Sequence, residues 1–273
     1  MYQLSNMIDI HSHIHDKAFD LDRDSVMSNL KRLGIKTITI GTDLVESKKA
    51  VAVAENYDNV WCTIGVHPHD DEGAVFDELD FEKLLECKKV IAIGECGLDY
   101  FYLERELAEG KLSDADAEKQ RQKKLFIQQI EFAKKHNLPL MLHGRPSKNT
   151  YDAYVDMLEI LNNYKGVVGN VHFFVGDKEI ARQFLDLGFT FSFGGVTTIT
   201  SDYDEVIRSI PVENIHLETD SPYVAPKQYR GQRNSPEYLP IILKRISEIK
   251  KVSEEELVKI LNQNAKRVFG VSF

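Results

Sequence analysis

A (β/α)8 TIM barrel, eight parallel strands each followed by a helix, is the fold this sequence predicts. Three observations carry that expectation. Eight short apolar runs, rich in β-branched residues, alternate with longer amphipathic stretches. Each run is nearly unbroken in apolar residues, as a strand covered on both faces should be. The 273 residues suit one barrel, and no Gly-rich dinucleotide or phosphate loop follows the first run. That last point disfavours the alternative, a doubly wound open sheet.

Taken in order, the strands read "MIDIH" (7–11), "KTITIG" (36–41), "VWCTIGVH" (60–67), "VIAIGE" (90–95), "LPLMLH" (138–143), "VVGNVH" (167–172), "FTFSFGG" (189–195) and "IHLETD" (215–220). Between the fourth and fifth, Phe126, Ile130 and Ala133 share one face of a helix running to about Lys135. Val155, Leu158 and Leu161 do the same in the next helix. Asp177 reads as an N-cap, and Ser253 with Glu256 reads as a capping box. The segment "YLERELAEGKLSDADAEKQ" (102–120) is charged and largely lacks apolar periodicity. It reads as a long surface loop or an exposed helix extension.

Composition narrows the function. With 34 basic against 43 acidic residues, the net charge is −9. A broad basic surface for coating nucleic acid is therefore excluded, although a small site gripping one phosphate is not. Cys62, Cys87 and Cys96 are scattered, with no CxxC pair, which favours a reducing compartment. There is no basic-then-apolar leader and no apolar run long enough for a membrane span, so the cytosol is the expected location.

The chemistry shows at the strand ends. His11, His67, Glu95, His143, His172 and Asp220 each close a strand, and in a barrel those ends share one mouth. His13 follows His11 by two residues, so both rings project to the same side of an extended chain. A lone histidine is usually an ordinary core or rim residue. Five histidines and two acids timed to strand ends instead suggest a divalent metal site. No cysteine ends these strands, so the site suits catalysis better than structural zinc. His15 lies past the strand and is left between a loop role and a site role. His69, His136 and His216 carry no such timing and are assigned no chemistry.

The blocks "DIHSHIHD", "TIGVHPH", "AIGECGLDY", "LPLMLHGR", "NVHFF", "LETDSPYVAP" and "YRGQRNSP" resemble, in order, the signatures of the TatD family of metal-dependent deoxyribonucleases. "QKKLF" (122–126) also fits that family's helix before strand five. The resemblance implies a single metallohydrolase barrel domain over residues 1–273, holding two or three divalent ions (Mg, Mn or Zn) and cleaving phosphodiester bonds in DNA. By position, it implies His11, His13 and Asp220 on one metal, His143 and His172 on a second, and Glu95 bridging them. His67 becomes a phosphate-side residue, and Arg230 and Arg233 a basic loop after strand eight. Gly144, Phe173 and Val175 depart from the residues commoner in the family, and the 102–120 segment is longer than expected.

The expected mechanism has Asp220 as general base, with His67 and Arg230 facing phosphate charge. Tyr100 and Phe101 either stack on a base or pack the barrel rim. "KQYRGQR" (227–233) reads as a basic patch holding a tyrosine, or as a solvated loop. A compact site favours exonuclease action on single strands or chain ends of DNA. Two rivals stand beside it: the same metal cluster acting on an amide, ester, lactone or aminoacyl-RNA, and a barrel that only binds. Glu95, standing where relatives with amide substrates often carry a carboxylated lysine, favours the phosphodiesterase.

Overall fold

Hydrogen bonding orders the eight strands as their sequence does, β1 to β8, each consecutive pair being parallel. The structure is a computed structural model that describes residues 6–69 and 75–271. The strands are β1 Met7–Ser12, β2 Ile35–Ile40, β3 Val60–Ile64, β4 Val90–Asp99, β5 Leu140–Arg145, β6 Gly169–Val171, β7 Thr190–Phe193 and β8 Ile215–Leu217. Ten helices are described: α1 Arg23–Leu33, α2 Leu44–Asn56, α3 Glu78–Leu84, α4 Leu103–Ala108, α5 Ala115–His136, α6 Asp152–Leu161, α7 Lys178–Asp186, α8 Asp204–Ser209, α9 Leu239–Lys250 and α10 Glu254–Phe269. This is the barrel the alternating pattern predicts. No helix among the described residues is long and apolar enough to cross a membrane.

The seam between β8 and β1 is closed by backbone bonds just past the strand ends. Asp220 N donates to His11 O at 2.9 Å, and His13 N donates to Ser221 O at 2.7 Å. Asp9 locks the same seam from inside: its buried carboxylate accepts from Thr219 N at 2.9 Å and from Thr219 Oγ1 at 2.6 Å. Sheet closure and the placing of the ligand-bearing ends are thus one event.

Several strands end elsewhere than the sequence suggests: β6 stops at Val171 and β8 at Leu217, so His172 and Asp220 follow their strands rather than close them. β3 stops at Ile64, so His67 lies in the following loop, where its N–H donates to Thr42 O at 2.6 Å. β4 runs four residues past Glu95, to Asp99. Gly97 makes that extension possible: with φ at 141°, a Cβ there would lie 2.0 Å from His143 O. Only glycine lets β4 approach β5 that closely.

The 102–120 segment resolves into the short helix α4 and the first turns of α5, so the helix-extension reading holds. Asp114 caps α5 by accepting from Asp116 N and Ala117 N, and Asn137 ends it in the left-handed region. Phe126, Ile130 and Ala133 are buried as expected. Val155, by contrast, is 52% exposed; the buried face of α6 is Ala153, Tyr154, Met157, Leu158 and Leu161. Asp177 and Ser253 both cap, accepting from Ile180 N and Glu256 N.

Candidate metal centre and its cavity

Glu95 occupies the centre of the mouth, 4% exposed, and its two oxygens face different partners. Oε2 lies 3.5 Å from His11 Nε2 and 4.0 Å from His13 Nε2. Oε1 lies 2.8 Å from His143 Nδ1, 2.7 Å from His172 Nε2 and 3.8 Å from His67 Nε2. Asp220 Oδ1 stands 3.7 Å from His11 Nε2 and 3.5 Å from His13 Nε2. All six residues expected to ligate are therefore in one cluster, with His67 at its edge.

The donors fit divalent cations. Groups His11–His13–Glu95, His11–His172–Asp220 and Glu95–His143–His172 each bring their ligand atoms within 4.8 Å of one another. Gaps of 3.5 to 4.0 Å between the first-strand imidazoles and their carboxylates are what two donors about 2.1 Å from one cation leave between them. His11 gives the sharpest indication: it is fully buried, and neither ring nitrogen has a hydrogen-bond partner. A buried polar atom without a partner is costly, and a cation would satisfy Nε2.

Electrostatics agree. Burial opposes charge on Glu95, but the imidazoles of His172 and His11 and the hydrogen bond from His143 outweigh it and hold the carboxyl well below its usual range. Burial, reinforced by His172 stacked at 3.8 Å, pushes His11 down, leaving the neutral ring that a ligand must be. Burial and His143 take His67 to about 3. Its Nδ1 accepts from His69 N at 3.1 Å, so the neutral ring carries its proton on Nε2, toward Glu95.

Several residues that the sequence reading left out shape the site. Asp99, 2% exposed, meets His143 Nε2 at 3.0 Å while its other oxygen accepts from Phe101 N. It thereby leaves His143 Nδ1 to face Glu95. Glu218, fully buried, lies 3.7 Å from His172 Nδ1 and accepts from Phe173 N and from the Ser192 hydroxyl. Gln122 and Gln129, on one face of α5, grip the backbone beneath the site. Gln122 accepts from Asp99 N and donates to Asp99 O; Gln129 does the same at Val66. The seven-residue spacing of two glutamines on a buried helix face was a readable signal.

The basic and aromatic expectations need correction. Tyr100 is fully buried, its hydroxyl donating to Asp156 at 2.9 Å, so it presents no face to a substrate. Arg233 is held by Asp22 at 2.6 and 2.8 Å, donates to Ala18 O and lies over Phe19, as a brace for the barrel rim. Arg230 is exposed and lines neither cavity at the mouth. The arginine that does line both is Arg145, stacked 4.1 Å from Phe101 and 4.7 Å from Tyr102. His15, 4% exposed, lines the smaller cavity, its ring between Thr39 Oγ1 at 2.7 Å and Glu46 at 3.3 Å.

The departure at Gly144 has a steric cause: a Cβ there would lie 2.4 Å from a ring carbon of Tyr154. The Tyr154 hydroxyl accepts from the backbone N–H of Val175 at 3.1 Å.

The family profile described as TatD-related DNase matches residues 8–270. The chain belongs to that family. As a TatD-family protein it is a metal-dependent hydrolase. It is 33% identical over 272 residues to the uncharacterized metal-dependent hydrolase YabD of Bacillus subtilis, covering 97% of this chain and all of that one. It is 32% identical over 278 residues to the protein named 3'-5' ssDNA/RNA exonuclease TatD of Pantoea ananatis, covering 97% of this chain and 100% of the relative. Among solved structures, the TatD homologue YjjV of Escherichia coli superposes with a TM-score of 0.84 at 27% identity, covering 97% of this chain and 98% of that one.

Proposed function

We propose that this TatD-family hydrolase is an exonuclease that removes nucleotides from the ends of single-stranded DNA. The observation that carries the reading is the split of Glu95: one oxygen toward His11 and His13, the other toward His143 and His172. A single carboxylate facing two imidazole pairs suits a bridge between two cations, and that pairing suits in-line displacement at phosphorus. Relatives named as 3'-5' ssDNA/RNA exonucleases support the same class.

His11, His13 and Asp220 would hold one cation, His143 and His172 the second, and Glu95 both. Bound there, the cations would activate water and offset phosphate charge. The chain's own groups do the rest. Asp220 faces the cavity with its side chain 14% exposed, placed to accept the proton of an attacking water. His67 offers its Nε2–H to a phosphate oxygen. Arg145, braced by two rings and without an ion pair among the described residues, offers its planar fork to the same phosphate.

The test is metal-stripped protein reloaded in turn with magnesium, manganese or zinc, its metal content measured, and given end-labelled single-stranded DNA. Mononucleotides should appear from the first time point without internal fragments. Hydrolysis of carboxylic esters or amides, with DNA left intact under every metal, would sink the reading.

A further inference from the structure

We propose that the strand being digested leaves the metal-ligand cluster through the larger of the two cavities at the mouth, and that Lys148, Tyr151 and Tyr203 hold its phosphates and bases. This rests on the nuclease reading above and adds the path of the polymer.

Two cavities meet at the cluster, sharing His143, Arg145, His172, Asp220 and Tyr223. The smaller, about 370 Å³, backs onto Asp16 and Glu46. The larger, about 710 Å³, runs outward past the loop between β5 and α6 toward Tyr203 at the start of α8. Their charges differ in sign. The outer wall of the smaller cavity is acidic. The larger is lined by Arg145 and Lys148, and its one acid is Asp220, which belongs to the cluster. On a chain of net charge −9, that absence of wall carboxylates marks one exit for a polyanion. An end nucleotide suits the smaller space, and the remaining phosphates suit the basic one.

The ring content points to bases rather than to an acidic peptide. Phe101 and Tyr151 are each 41% exposed, and Tyr223 is 53% exposed, all lining the larger cavity. Gathered in one cavity rather than scattered, such exposed rings mark a binding surface. Arg145 already covers Phe101, leaving Tyr151 and Tyr203 as further platforms along the groove. Lys148 lines the same cavity, exposed and without an ion pair among the described residues. Cations interleaved with rings follow a sugar–phosphate chain whose bases are free to stack, which requires a single strand.

The experiment compares kcat/KM of the metal-loaded protein on thymidine dinucleotide and octanucleotide, with bis(p-nitrophenyl) phosphate as a small diester. In the parent, the octanucleotide should be preferred. In Tyr151→Ala and Lys148→Ala, the octanucleotide-to-dinucleotide ratio should fall roughly tenfold, because only the longer strand reaches the groove. Lys148→Ala should also flatten the plot of log KM against log salt for the octanucleotide by about 0.7, one phosphate contact fewer. An unchanged ratio and salt slope in both variants, with DNA still cleaved, would overturn the groove alone. A parent that cleaves the small diester but no oligonucleotide would overturn the nuclease reading and the groove with it.

Discussion

The two ends of this barrel interior obey opposite rules. Toward the floor, Ile8, Ile10, Ile38, Ile40, Ala92 and Met141 fill the space between the strands, and Phe269 at the end of α10 and Val271 just past it close it. Polar side chains there bond to one another: Asn170 donates to Ser192 at 2.7 Å, and His216 meets Thr190 at 3.1 Å. At the mouth, like and unlike charges crowd within a few ångströms, and neither ring nitrogen of His11 has a hydrogen-bond partner. The backbone is strained there as well. Phe173, Asp220 and Val224 all sit at positive φ, which costs a non-glycine residue on the order of 1 kcal/mol or more. The floor stabilises the fold; the mouth spends stability to hold a reactive arrangement.

That contrast can be broken at either end. The largest effect belongs to Glu95→Ala, which removes the carboxylate that faces both imidazole pairs. Metal-dependent hydrolysis should fall by more than about 10³-fold, and bound metal should drop, while the circular dichroism of the barrel persists. Parent-level turnover in this variant would erase the distinction between the two ends.

Next in size is Ile38→Ala in the floor. Ile38 is fully buried, and losing its side chain should cost about 2 to 5 kcal/mol in urea unfolding. Turnover per folded molecule should not move. A variant that unfolds normally but loses activity would mean that the floor also positions the mouth.

Asp99→Asn lies between the two regimes, since the change keeps the shape but removes the carboxylate facing His143. Metal affinity should weaken about 10- to 100-fold in a direct metal titration. The amide oxygen can still accept from Phe101 N, so stability should change far less than in Ile38→Ala. Equal metal affinity with lowered stability would make Asp99 a floor-type residue that happens to stand at the mouth.

The floor was the more legible end in the sequence. Buried parallel strands announce themselves locally, through apolar runs such as "KTITIG", and all eight were visible. The ligand positions were also visible, because a histidine or acid at the close of an apolar run breaks the local pattern. What the sequence hid was pairing over long separations. Nothing local says that Asp9 fastens Thr219, or that Arg233 is taken up by Asp22 and so lost to a substrate. Arg145 stood inside a quoted block, but its value appears only once Phe101 and Tyr102 are seen beneath it. Tyr100 and Phe101 are neighbours in sequence, yet one is buried and the other 41% exposed, because the strand β4 has just ended. Adjacent aromatics at a strand exit cannot be told apart until the exit direction is known.

The smallest effect concerns the one histidine built into the floor. His216 is 1% exposed, with Thr190 Oγ1 on one nitrogen and the Phe269 ring 5.7 Å away. Burial, with Arg267 adding to it, takes its pKa down to about 3. The unfolded chain would bind the same proton near pH 6.5. The sign follows: the folded state keeps the ring neutral, so stability is intact above about pH 6.5 and is lost as pH falls toward 3. The slope for this one group is about 1.4 kcal/mol per pH unit, which gives about 2 kcal/mol between pH 6.5 and pH 5. His216→Asn removes the titrating ring. Its urea stability should therefore decline less than the parent's over that interval, by about the same 2 kcal/mol, whatever its stability at neutral pH. Metal should be omitted from both samples, because acid also releases it from the mouth and would mix the two ends of the barrel in a single measurement. Parallel pH profiles for parent and variant would show that burial in the floor does not keep the His216 ring neutral.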